Sequence, residues 1–149
     1  CIRDSVWLDR NARLPEQKMR EELYYGSLYA GIVLSACGTA FPHPLGYVLT
    51  EDFSIPHGRA CTASLPAFLE RGEQFEAERA AEYYQLLGTD FGQLCSVVER
   101  LTDTASVRMT LEQVERYASR WGDVKNFRVS PGGFTAEDAK ALLTRLFVR

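Results

Sequence analysis

The sequence predicts an all-α domain, and three observations carry that expectation. Apolar residues recur at intervals of three and four over most of the chain. Alternating apolar and polar residues, the mark of a half-buried strand, are almost absent, and short runs such as Tyr47-Val48-Leu49 lie between breakers. Helix-start signals stand ahead of periodic stretches, most clearly Thr110-Leu111-Glu112-Gln113 and Thr135-Ala136. At 149 residues the chain is one domain's worth, so residues 1–149 read as a single domain of about seven helices.

Taken in order, residues 1–10 read as the tail end of a helix, followed by a break from Asn11 to Pro15. From Glu16, the series Met19, Leu23, Tyr24, Ala30, Val33, Leu34 and Cys37 describes a long helix to about Cys37. Its half from Leu28 to Ala36 is apolar nearly all round, as in a helix that enters an interior. Gly26, Ala30 and Gly31 then suggest close packing by a neighbouring helix or a ligand. Gly38 ends the helix, and a short helix is expected from Leu45 to Leu49 with Pro44 at its start, followed by a polar connection from Thr50 to Ser54. Gly58 to Glu70 reads as a buried helix bent at Pro66. Beyond Gly72 the helices become charged and amphipathic: Phe75 to Leu87, closed by Gly88; Phe91 to Thr102, capped by Thr89 or Asp90; Leu111 to about Arg120; and Ala136 to Phe147 after the turn Ser130-Pro131-Gly132-Gly133. The early helices are expected to be buried and the later ones peripheral.

Composition narrows the function classes. A net charge of −3 supplies no electrostatic reason to bind nucleic acid or an anionic membrane. No apolar run reaches the 18 or so residues that a membrane span needs. The cysteines Cys1, Cys37, Cys61 and Cys95 form no CxxC pair, so free thiols in a reducing cytoplasm are the expectation. Cys37 and Cys61 lie among small apolar residues and read as small hydrophobes. Motifs for a dinucleotide fold, a P-loop or a serine nucleophile do not occur.

Both histidines fall in one bent segment, Gly38-Thr39-Ala40-Phe41-Pro42-His43-Pro44-Leu45-Gly46-Tyr47 running on to Ile55-Pro56-His57-Gly58, with 57 − 43 = 14 positions between them. Neutral imidazole is the commonest side-chain metal ligand, and prolines on either side would fix the ring directions. Two ligands do not close a metal site, and structural histidines at helix boundaries fit the same spacing. Spacing alone leaves both readings open. The nearby acids Glu51 and Asp52 sit in what reads as an exposed connection.

These residues, with Ala30-Gly31-Ile32-Val33 before them and Arg59-Ala60 and Leu65-Pro66 after, resemble the helical C-terminal domain of iron-containing (group III) alcohol dehydrogenases. Weaker similarity continues through Arg108-Met109-Thr110-Leu111-Glu112 and Thr135-Ala136-Glu137-Asp138, so the resemblance spans essentially the whole chain. It implies NAD- or NADP-linked interconversion of small alcohols and aldehydes or ketones. It also implies a catalytic Fe²⁺, or in its place Zn²⁺ or another divalent ion, with His43 and His57 at two metal-ligand positions. Such an ion acts as a Lewis acid on the substrate oxygen while hydride passes to or from the nicotinamide.

Where many members carry a further histidine near the nicotinamide, this chain has Tyr47, whose hydroxyl could contact substrate or cofactor. The family's other two ligands, an aspartate and a histidine one helical turn later, have no counterpart here: Leu8 and Arg13 follow Asp4 and Asp9 at that spacing. The resemblance therefore implies the C-terminal part of a longer enzyme, inactive alone, whose N-terminal dinucleotide-binding domain is its main partner and which admits a homodimer. Two imidazoles also predict weak metal affinity for this chain by itself. Alternatives are a stand-alone helical interaction module with structural histidines, and a relative of glycerol dehydrogenase or dehydroquinate synthase.

Overall fold

A computed structural model describes residues 15–102 and 104–149. The helix end read for residues 1–10, and the break after it up to Pro15, lie outside the described residues. Among those described the fold is all-helical, without strands. The helices are α1 (Gln17–Cys37), α2 (Pro42–Phe53), α3 (His57–Thr62), α4 (Leu65–Phe75), α5 (Ala77–Leu87), α6 (Phe91–Thr102), α7 (Leu111–Ala118), α8 (Lys125–Arg128) and α9 (Ala136–Phe147). No single helix among the described residues is long and apolar enough to cross a membrane.

The expected burial of the early helices holds for α2 but not for α1. None of the side chains of α1 is buried, and Tyr24 and Ile32 are 68% and 58% exposed. A Cβ added at Gly26 or Gly31 would meet nothing within 4 Å among the described residues, so these glycines accommodate no neighbour there. Gly38, at φ 77°, turns the chain so that α1 and α2 meet at 110°, which carries α1 away from the body. Periodicity records that a helix is apolar; it cannot say what the helix meets.

The core instead joins α2 to the C-terminal third. Leu45, Val48 and Leu49 of α2 pack in one cluster with Val114, Tyr117, Trp121, Phe127, Leu143 and Phe147. Phe41 is fully buried and its ring stacks on Phe134, with centroids 3.8 Å apart and planes 13° from parallel. The backbone N–H of Phe41 donates to Ser130 Oγ at 2.9 Å, and Ser130 Oγ in turn donates to the Asn126 carbonyl at 2.8 Å. Asn126 Nδ2 donates to the Thr39 carbonyl at 2.8 Å, so the approach to α2 is held from two sides. The Tyr117 hydroxyl donates to Asp52, tying α7 to the far end of α2.

This clamp explains why α2 is longer than proline placement suggests. The residue before a proline avoids helical geometry, yet Phe41 is helical at φ −42°, ψ −41°, and the helix runs from Pro42 through Phe53 rather than from Leu45 to Leu49. Pro42 and Pro44 both fall in the first turn, where a missing N–H leaves no hydrogen bond unmade. Burial of Phe41 and its bond to Ser130 outweigh the local bias. The polar stretch Thr50 to Phe53 is accordingly the last turn of α2, closed by Ser54 at φ 56°.

Two other boundaries differ. Pro66 starts α4 instead of bending a continuous helix, so the stretch from Gly58 to Glu70 is split between α3 and α4 around Ala63-Ser64. Of that stretch Ala60 and Ser64 are buried and most of the rest is intermediate. A second break at Glu76 (φ −139°, ψ 52°) leaves Phe75 at the end of α4, 59% exposed, rather than at the start of the next helix. The expected caps form: Gly88 is left-handed at φ 62°, Asp90 accepts from the Gln93 N–H at 2.8 Å, and capping boxes open α7 at Thr110 and α9 at Thr135.

α2 and α3 pack against each other most closely at Gly46, where an added Cβ would lie 2.5 Å from Cys61 Sγ and 2.9 Å from its backbone nitrogen. The sulfur could swing away but the backbone could not. Gly46→Ala should therefore cost about 1–3 kcal/mol in urea unfolding, while Gly58→Ala, with nothing within 4 Å of its Cβ, should be neutral or slightly stabilising. Equal losses for both would show that the contact is not tight.

At the start of α9, burial alone would raise the Asp138 carboxyl. Hydrogen bonds from the Thr135 hydroxyl and backbone, and then Arg71, outweigh burial and hold it below the usual carboxylate range. The folded state then binds fewer protons than the unfolded one in mild acid. Its contribution is complete above an unfolded value near 3.9 and is lost as pH falls through the folded value. Asp138→Asn is expected to flatten the fall of the urea midpoint between about pH 5 and about pH 2; parallel curves for both proteins would contradict this.

Candidate metal centre

The helix pair α2–α3 brings the two histidines of the bent segment together. His43 lies in the first turn of α2 and His57 opens α3, where Pro56 precedes it at φ −51°. Their rings stand edge to face, with centroids 4.9 Å apart and planes at 84°. Burial, and then the neighbouring His57, hold the His43 pKa below its ordinary value, which favours the neutral imidazole that a metal requires.

The hydrogen-bond pattern assigns one nitrogen of His57. Thr50 donates its single hydroxyl proton to the Gly46 carbonyl at 2.8 Å, so toward His57 Nδ1, 3.1 Å away, the same oxygen accepts. His57 therefore carries its proton on Nδ1 and a lone pair on Nε2. His43 Nε2 is 3.2 Å from the Tyr47 hydroxyl, which leaves His43 Nδ1 pointing inward. Each imidazole thus faces a hydroxyl on one side and the common centre on the other, the second-sphere pattern of metal-binding histidines.

Cys61 occupies that centre. Its Sγ lies 3.5 Å from His57 Nε2 and 3.6 Å from His43 Nδ1, and one ligand atom from each of the three residues falls within 4.8 Å of the others. Read from sequence as a small hydrophobe, Cys61 was missed as a polar participant. The spacing of His57 and Cys61, four residues apart on one helix face, is the signal that could have found it. Burial pushes its thiol above the ordinary cysteine range, so in the absence of a cation it is a neutral S–H.

Beside the histidines opens a cleft of about 450 Å³, lined among others by His43, Tyr47, Glu51, Arg120 and Trp121. Tyr47 stands at its edge, 48% exposed, between the cleft and both imidazoles. Of the two nearby acids, Glu51 lines the cleft and Asp52 is taken up by Tyr117, so neither joins the histidines.

A family model described as Fe-containing alcohol dehydrogenase family, C-terminal, matches residues 10–141. The chain belongs to this family. No curated protein and no solved structure gives a significant match. Within an Fe-containing alcohol dehydrogenase domain, convergent imidazoles with their outward nitrogens hydrogen-bonded fit a divalent cation by donor chemistry. The all-helical architecture expected from the sequence is likewise that of the structure.

Thr50→Val keeps the shape of the side chain and removes the acceptor for His57 Nδ1–H. In ¹⁵N NMR of the metal-free protein, wild-type His57 should be the Nδ1–H tautomer, and the variant should shift toward Nε2–H. An unchanged tautomer would show that Thr50 does not set the ring's proton.

Proposed function

We propose that this chain is the catalytic-metal domain of an NAD- or NADP-linked alcohol dehydrogenase acting on small alcohols and aldehydes or ketones. His43 and His57 supply two of the protein ligands to the cation. Family membership over residues 10–141 supports the enzyme class. The single observation that carries the ligand reading is the convergence of two imidazoles that lie 14 positions apart in sequence, with ring centroids 4.9 Å apart.

When bound, a divalent cation such as Fe²⁺ or Zn²⁺ supplies Lewis acidity toward the oxygen of the alcohol or carbonyl. The chain's own residues do the rest of the positioning. His43 and His57 hold the cation, and Thr50 fixes the tautomer that leaves Nε2 of His57 free. The neighbouring cleft, with Trp121 in its wall, admits a small substrate and limits water, and the Tyr47 hydroxyl at its edge is placed to orient a substrate oxygen or the nicotinamide. Hydride exchange requires the dinucleotide, which we assign to an N-terminal domain of the same enzyme, together with the remaining cation ligands. We place this enzyme in the cytoplasm, as a homodimer; among the described residues no single helix is long and apolar enough to span a membrane.

In the protein carrying its dinucleotide-binding domain, His43→Ala and His57→Ala should each lower NAD(P)-linked alcohol oxidation by at least about 100-fold. Bound iron or zinc, measured by elemental analysis, should fall in parallel. Retained turnover in both variants would remove the histidines from the site.

A further inference from the structure

We propose that Cys61 is a third protein ligand, so that this chain by itself holds a borderline-soft divalent cation, Zn²⁺ or Co²⁺, through two imidazoles and a thiolate. The proposal rests on the reading of His43 and His57 as ligands and adds a donor to it. Three observations support it, each independent of family membership.

The first is distance. Zinc–sulfur bonds of about 2.3 Å and zinc–nitrogen bonds of about 2.0–2.1 Å, set at the tetrahedral angle, separate sulfur from nitrogen by about 3.5 Å. Cys61 Sγ lies 3.5 Å from His57 Nε2 and 3.6 Å from His43 Nδ1. Both separations match the sulfur–nitrogen edge of such a tetrahedron, and the three donor atoms lie within 4.8 Å of one another.

The second is orientation. The nitrogens facing the sulfur are the two not engaged by hydroxyls, since Thr50 takes His57 Nδ1 and Tyr47 takes His43 Nε2. The third is the close approach of the two helices at Gly46, where an added Cβ would lie 2.9 Å from the Cys61 backbone nitrogen, which holds Cys61 close to the helix that carries His43.

Coordination replaces the S–H bond with a sulfur–metal bond and releases one proton to solvent for each cation bound, with no change of oxidation state. The thiolate biases the site toward zinc and cobalt over harder cations such as Mg²⁺. In this chain by itself, three protein donors leave the fourth tetrahedral position to water.

Co²⁺ titration of the 149-residue chain, followed by absorbance under reducing conditions, tests this. The expected result is one cobalt per chain, tetrahedral visible bands and a near-ultraviolet thiolate-to-cobalt charge-transfer band, all reversed by Zn²⁺. Cys61→Ala should abolish the charge-transfer band and weaken binding at least about 10-fold. Cys61→Ser, nearly the same size, guards against a packing effect and should lose the band as well. If the wild-type chain binds no cobalt, or binds it without the band, or if Cys61→Ala binds equally well, Cys61 is not a ligand. The histidine reading would survive those outcomes, because it stands on alcohol oxidation by the larger protein. A band that persists in the His43→Ala/His57→Ala chain would place the cation on other thiols and overturn the proposal.

Discussion

Everything about the candidate centre depends on how closely α2 and α3 approach. At Gly46 the backbone of α2 comes near enough to α3 that no side chain fits between them. That contact determines how far the start of α2 is from the start of α3, and therefore the distance between His43 and His57. It also aims Cys61, one turn further along α3, into the gap between the rings. A centre held by helix backbones varies little with side-chain motion, which is what a pre-organised set of donors needs.

The C-terminal third is the scaffold for this pair. Phe41 stacked on Phe134, the Ser130 hydroxyl on the Phe41 N–H, and Asn126 on Thr39 fix the residues just before His43. Tyr117 holds the opposite end of α2 through Asp52. Helices α7 and α8 and the turn from Ser130 to Phe134, which carry no candidate donor, thus anchor both ends of the helix that does. Arg71, lying 4.5 Å above the Phe134 ring and bonded to Asp138, connects α4 to the same support.

Local chemistry made much of this legible in the sequence. The capping boxes at Thr110 and Thr135, the left-handed glycines Gly38 and Gly88, and the 3–4 periodicity of α1 and α9 each depend on residues within one or two turns, and each forms where its signal stands. The histidine segment was legible as a bent stretch and, through its resemblance, as a half-site. What sequence could not convey are effects of partners far away along the chain. The early start of α2 depends on Ser130, 89 residues later, and the exposure of α1 depends on what the rest of the chain does not place beside it. Cys61 was overlooked because a cysteine among alanines looks apolar until its helix neighbour four residues back is recognised as a histidine turned the same way.

The bare flanks of α1 have a consequence for cooperativity. A helix whose side chains are all outside the core receives nothing from the packing that holds α2, α7 and α9 together, and is maintained by its own backbone bonds. Gly26 and Gly31 each weaken those bonds' case by roughly 1 kcal/mol relative to alanine. Among the described residues α1 therefore stands apart from the cooperative body, and it is expected to open and close without disturbing it. A melting curve of this chain reports the body, and amide exchange along 17–37 would report the helix, on a faster clock.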